Sequence, residues 1–198
     1  MPKSAEQYEK IRDAMKEKIM KESLSYFAVK GLSRTKISDL SKHIGIGQGT
    51  MYSYFSSKEE LFKAITQGII SENEKGLEGL YHAPISSKEK IISLSNSILN
   101  RIYNEAGIAE SFALNIQVLI EYGKNNDFTM DYAKTPNAVL ATIIEEGQKD
   151  GNIIEGDSNM LADFYWSAVH SISLNKVYGN MKEIKPEPQQ LIRILIKD

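Results

Sequence analysis

The residues of this chain best placed to do chemistry stand in one short run, Gly45-Ile46-Gly47-Gln48-Gly49-Thr50-Met51-Tyr52-Ser53-Tyr54-Phe55. If Gln48 opens a helix reaching to about Phe55, Met51 and Phe55 fall on one face and pack inward, while Gln48 and Tyr52 fall on another and look outward. Gly47 and Gly49 take side chains away from the start of that helix, where free amides and the helix dipole favour an anion such as a phosphate. Thr50, Ser53 and Tyr54 add hydroxyls on the flanks, and Lys58 adds a cation at the start of the next helix. This is a docking surface for a nucleic-acid backbone around one exposed reading helix.

Other chemistries find little support. The glycine run lacks the spacing and the lysine of a phosphate-binding loop and follows a helix instead of a strand. His43, His82 and His170 are scattered without metal-ligand spacing, so neither a metal nor a cofactor is expected. The absence of cysteine removes disulfides, thiolate metal sites and cysteine nucleophiles. No serine sits in a nucleophile elbow. The acidic run from Asp150 to Asp157 lacks a calcium-loop pattern and reads as a solvated helix terminus. The chain is not expected to be an enzyme.

The elements that must position the run read as helices throughout, an all-α fold. From Tyr8 to Ala28 the apolar residues Tyr8, Ile11, Met15, Ile19, Met20, Leu24 and Phe27 recur at helical spacing, and Gly31 is placed to end that helix in a left-handed cap. Thr35 suits an N-cap for a short second helix carrying Ile37, Leu40 and Ile44 inward, which Gly45 breaks. Ser57-Lys58-Glu59-Glu60 reads as a capping box for a fourth helix burying Leu61, Phe62, Ile65 and Ile69. Gly76, Gly79 and Pro84 mark a boundary, and Ser86 to Glu89 repeats the capping-box pattern. Further helices are expected at Glu110 to Tyr122, Pro136 to Lys149, Asn159 to Tyr178 and, briefly, Gln189 to Ile196.

The stretches Gly31-Leu32-Ser33-Arg34-Thr35-Lys36-Ile37-Ser38-Asp39-Leu40-Ser41, Gly45 to Phe55, and Ser57-Lys58-Glu59-Glu60-Leu61-Phe62 resemble the TetR-family DNA-binding domain almost position by position, over roughly residues 8 to 69. The resemblance implies a three-helix DNA-binding head at 1–69, with its helix-turn-helix at about 36–55. A fourth helix would join the head to a larger helical effector-binding and dimerisation domain at 70–198. It implies that Thr35, Lys36, Thr50, Tyr54 and Lys58 meet phosphates and that Gln48, Gly49, Tyr52 and Ser53 lie against base edges. Gly47, Gln48, Ser41 and Ser53 depart from the residues usual at their positions, which blurs the operator sequence and leaves the fold intact.

Beyond residue 85 no motif has comparable strength. Pro136, Val139, Leu140, Ile143, Ile144 and Gly147 form one helical stripe, and Leu161, Phe164, Tyr165, Ala168, Val169 and Ile172 form another broad enough to pack on two sides. By the resemblance, these last two long helices pair with a second copy as a homodimer. Pocket candidates are the aromatic residues Tyr103, Phe112, Tyr122, Phe128 and Trp166, with Asn115, Gln117, Met130 and His170 beside them. Core packing accounts for each of these equally well.

The charge pattern agrees with a divided chain. The net charge is -2, yet up to Ala64 twelve Lys and Arg stand against eight Asp and Glu, and after it twelve stand against eighteen. The basic end is the one expected to meet a polyanion. No apolar run has transmembrane length, and Met1 to Glu6 lacks a signal-peptide core, so a cytoplasmic protein is expected. The expected partners are double-stranded operator DNA and a small-molecule effector, with repression relieved by the effector. The alternative is a helical adaptor that keeps the fold and binds protein instead of DNA.

Overall fold

The computed structural model describes residues 5–122, 127–179 and 185–197, with the side chains of 117–122 and 127–135 outside that description. The elements in chain order are α1 (Ala5–Lys30), α2 (Ile37–Ile44), α3 (Gln48–Tyr52), α4 (Lys58–Tyr81), α5 (Ser87–Asn104), α6 (Ile108–Tyr122), α7 (Asp127–Lys149), α8 (Ser158–Tyr178) and α9 (Pro188–Ile192). Among the described residues the extended pairing is one isolated antiparallel bridge, Ile153 with Ile196. The fold is all-α. The chain divides into two compact units, Met1–Ile69 and Ile70–Asp198, and the division falls inside α4.

In the first unit, α1 ends where Gly31 takes φ +79°, and the next residue, Leu32, is buried. Ile19, Phe27, Leu40, Ile44, Met51, Phe55, Leu61 and Phe62 form the core, with the Phe27 and Phe62 rings edge to face at 5.4 Å. Two of the apolar residues expected on the inner stripe of α1 stay outside it: Tyr8 is 61% and Ile11 45% exposed. A helix of 26 residues spans roughly 39 Å, more than an eight-residue α2 and a five-residue α3 can cover. The α2 cap also differs from expectation. Lys36 holds the N-cap position without a side-chain bond, while Thr35 turns its hydroxyl to Gly31. Ser57 does accept from the Glu60 amide, but the Glu60 carboxylate reaches Ser56 instead of closing the box on Ser57.

In the second unit, α6 and α7 pack on α8, and α9 packs on α5. The capping box at Ser86 is complete: Ser86 Oγ accepts from the Glu89 amide and the Glu89 carboxylate accepts from the Ser86 amide. Buried residues include Ile91, Leu99, Ile102, Leu140, Ile143, Ile144 and Tyr165, whose hydroxyl meets Ser95 Oγ at 3.0 Å. Gly147 is where α7 is approached closely, because a Cβ there would overlap the Ile153 side chain and crowd Ser87. Two punctuation marks lie elsewhere than expected. Gly76 and Gly79 are inside α4, which runs on to Tyr81, and Pro136 is inside α7 instead of opening it.

Candidate nucleic-acid interface and interior cavity

The turn between α2 and α3 is fixed by backbone geometry. Gly45 sits at φ +77°, its amide donates to Lys42 O and the Ile46 amide donates to Ser41 O, the paired bonds of a Schellman motif. Gly47, extended at φ -72° and ψ 150°, then starts α3. Met51 is fully buried and Phe55 nearly so, which anchors α3 from beneath. On the opposite side Tyr52 is 53% exposed, and Gln48, Gly49, Thr50 and Ser53 are exposed with it. Only five residues are helical, with Ser53 as the C-cap and its Oγ donating to Thr50 O at 2.7 Å. So short a helix sums few peptide dipoles, and its side chains and hydroxyls are the principal handles it offers.

The flanking residues sort themselves by what they already hold. Lys36 is exposed at the start of α2. Tyr54 is half-buried, with the Arg12 guanidinium 5.8 Å over its ring, and Lys16 Nζ stands 5.9 Å over the Phe55 ring. Arg12 and Lys16 thus bring α1 cations beside the end of α3, which the periodicity of α1 alone did not reveal. Thr35 is 2% exposed, its hydroxyl donating to Gly31 O at 2.6 Å and its amide to Leu32 O at 3.1 Å. Lys58 Nζ donates to Leu32 O at 2.9 Å and Thr35 O at 3.0 Å, with Ser33 O at 3.5 Å. Both residues brace the loop after α1 in this structure instead of standing open as phosphate donors.

The second unit encloses a cavity of about 650 Å³. Its wall on α4 includes Gly76 and Gly79, where an added Cβ would meet nothing within 4 Å. Phe112 and Trp166 line it as near-parallel rings, 6.5 Å between centroids and 26° between planes, and His170 stands edge-on to Phe112 at 5.8 Å. Burial holds the His170 imidazole below its usual pKa, which keeps it neutral. Arg101 also lines the cavity, paired with Glu105 at 3.1 Å and Glu72 at 3.6 Å. Asn137 Nδ2 donates to Asp163 Oδ1 at 2.6 Å, while Asn137 Oδ1 and Trp166 Nε1 are buried without a partner.

Residues 19–65 match the family model described as bacterial regulatory proteins, tetR family. The chain belongs to the TetR family. A Bacillus subtilis relative, the uncharacterized HTH-type transcriptional regulator YvdT, is 38% identical over 66 residues, which are 33% of this chain and 34% of that protein. The match therefore spans about a third of that relative's length. The remainder of the likeness is one of fold. A TetR-family transcriptional regulator from Agrobacterium tumefaciens superposes with a TM-score of 0.74 at 14% identity, covering 94% of this chain and all of that one. The transcriptional regulator FadR from Bacillus subtilis, solved with stearoyl-CoA, superposes at 0.64 with 18% identity over 89% of this chain and 95% of that one.

For a TetR-family chain the expected pocket residues can now be placed. Phe112, Asn115, Trp166 and His170 line the cavity. Tyr103 does not; its ring lies between the ammonium groups of Lys176 at 5.2 Å and Lys185 at 4.9 Å. Gln117, Tyr122, Phe128 and Met130 have side chains outside the described residues. Sequence reasoning missed the polar part of the wall, chiefly Arg101, Asn137 and Asp163, because a polar side chain facing an internal space has the same helical spacing as one facing water.

Proposed function

We propose that this chain is a DNA-binding transcriptional regulator, acting as a repressor that leaves its operator when a small molecule enters the cavity of the second unit. The observation that carries the reading is the two-sided α3, with Met51 and Phe55 buried beneath and Gln48 and Tyr52 free above. A short helix held from one side only and presenting polar and aromatic groups on the other is suited to the major groove. Gln48, Gly49, Tyr52 and Ser53 face bases; Lys36, Thr50 and Tyr54 face phosphates; Thr35 and Lys58 hold the loop from which Lys36 projects. Residues 1–69 are thus the reading head, and 70–198 the effector and dimer domain.

Dimerisation is supported by α8, where Met160 at 55% and Phe164 at 57% exposure stand one turn apart without cover in the single chain. A second copy seated on α7 and α8 removes that apolar area from water and sets two reading heads on one operator. The cavity is the second half of the switch. Its polar and aromatic lining suits a small molecule, and a TetR-fold neighbour crystallised with stearoyl-CoA supports a ligand role for this part of the fold. Because α4 contributes both Lys58 at its start and Gly76 and Gly79 to the cavity wall, a ligand that prefers one position of α4 biases the reading head. The work is done in the cytoplasm, on the cell's own DNA.

Selection from a random duplex pool with the purified protein tests the reading. It should enrich an inverted repeat whose half-sites lie about 34 Å apart, one turn of the duplex. A pool that emerges unenriched would point to the protein-binding adaptor instead.

A further inference from the structure

The cavity of the second unit carries more than a general capacity to hold something, because two of its polar atoms are incomplete. Trp166 Nε1, a donor, and Asn137 Oδ1, an acceptor, are both buried with no hydrogen-bond partner. The amide orientation is fixed by chemistry: an ionised Asp163 carboxylate can only accept, so Asn137 must turn its Nδ2 toward it, as it does at 2.6 Å, and the amide oxygen is left over. Buried polar atoms are nearly always satisfied, so a matched pair left open along one cavity describes what a ligand must supply. The ligand needs an acceptor for the indole N–H and a donor for the amide oxygen. A hydroxyl supplies both.

The rest of the wall narrows the class. The near-parallel Phe112 and Trp166 rings and the edge of His170 make an aromatic surface, and Gly76 and Gly79 leave the α4 side flat and open. A volume of about 650 Å³ accepts a body of two or three fused rings. Among the described lining residues the cation is Arg101, already held by Glu105 and Glu72, while Asp163 and Glu72 place two carboxylates on the wall. His170, kept neutral by burial, offers no compensating charge. An anionic ligand would therefore meet carboxylates and no uncommitted cation.

We infer that the effector cavity is built for an uncharged, planar-ring compound bearing a hydroxyl, bound between Trp166 and Asn137, and not for a carboxylate or an acyl anion. The inference rests on the ligand-gated reading above. It also separates this chain from the FadR structure of the same fold that holds stearoyl-CoA.

Calorimetric titration of the full chain with 2-naphthol, naphthalene, 2-naphthoate and decanoate tests it. The indole N–H signal in a ¹H–¹⁵N spectrum adds a site-specific readout, since Trp166 is the one tryptophan of the chain. 2-Naphthol should bind at least about tenfold more tightly than naphthalene or 2-naphthoate and should shift the indole resonance. Asn137→Leu and Trp166→Phe, each checked for an unchanged helical spectrum, should both lose that advantage while still binding naphthalene. If one variant fails to fold, the other decides the point. Equal or tighter binding of 2-naphthoate or decanoate, or a preference for 2-naphthol that survives in the folded variants, overturns the inference and leaves the ligand cavity standing. If none of the four probes binds, the inference falls together with the effector reading on which it rests.

Discussion

At the scale of single residues, Lys58 shows how a position can matter to DNA reading without touching DNA. Its ammonium donates to Leu32 O and Thr35 O at 2.9 and 3.0 Å, tying the start of α4 to the loop that presents Lys36. Lys58→Met keeps the stem and removes the donors. Because the group is half-buried, the expected loss is about 1 to 2 kcal/mol of stability, seen as a lower melting temperature or denaturant midpoint. A variant as stable as the parent and weaker only on DNA would return Lys58 to the role of a direct phosphate contact. The outward Gln48 and Tyr52 and the inward Met51 and Phe55 were legible in the sequence, since four-residue spacing on a helix admits one arrangement once its start is fixed. The commitments of Thr35 and Lys58 were not. A threonine and a lysine near a helix start are consistent with several partners, and tertiary packing chooses among them. Ser41 is a smaller instance: where alanine is usual, its hydroxyl lies buried and without a partner.

At the scale of elements, the caps were readable and the interruptions were not. Gly31, Gly45 and Gly151 all take positive φ at helix ends, where the left-handed turn excludes most side chains. Gly76, Gly79 and Pro136 carry the same letters but sit inside helices. A helical glycine costs only about 1 kcal/mol relative to alanine, which packing of the rest of α4 readily outweighs. In exchange the helix gains an open flank against the cavity. Gly147 is the opposite case, an absent side chain demanded by its neighbours. Gly147→Ala forces Ile153 and Ser87 apart, so despite the better helix propensity of alanine it should destabilise the second unit by about 1 to 3 kcal/mol. Chemical denaturation checks this, and a stability gain would mean that the Ile153 side chain gives way freely.

At the scale of the whole molecule, pH and salt should act on different units. His170 is buried and its pKa is lowered by desolvation from the usual 6.5, so the unfolded chain binds a proton more readily than the folded one. The folded state is therefore favoured above about pH 6.5 and progressively loses that advantage as pH falls toward the lowered folded value. Thermal melts at about pH 7.5 and about 5.5 should show a drop that is smaller in His170→Phe than in the parent. An identical drop in both would place the acid sensitivity elsewhere. Salt bears on the reading head. No helix among the described residues is long and apolar enough to cross a membrane, and the basic excess lies in the first 64 residues, so the polyanion is met there.

The most direct test of that claim is fluorescence anisotropy of a labelled duplex recovered by selection, titrated with the parent and with Tyr52→Ala at two salt concentrations. Tyr52 is 53% exposed and contributes little to the core, so the variant should melt with the parent. The account predicts that parent affinity falls by on the order of 100-fold or more between about 0.05 and 0.2 M salt, and that Tyr52→Ala binds at least about tenfold more weakly at either. Affinity that ignores salt, or a Tyr52→Ala variant that binds as the parent does, would contradict it.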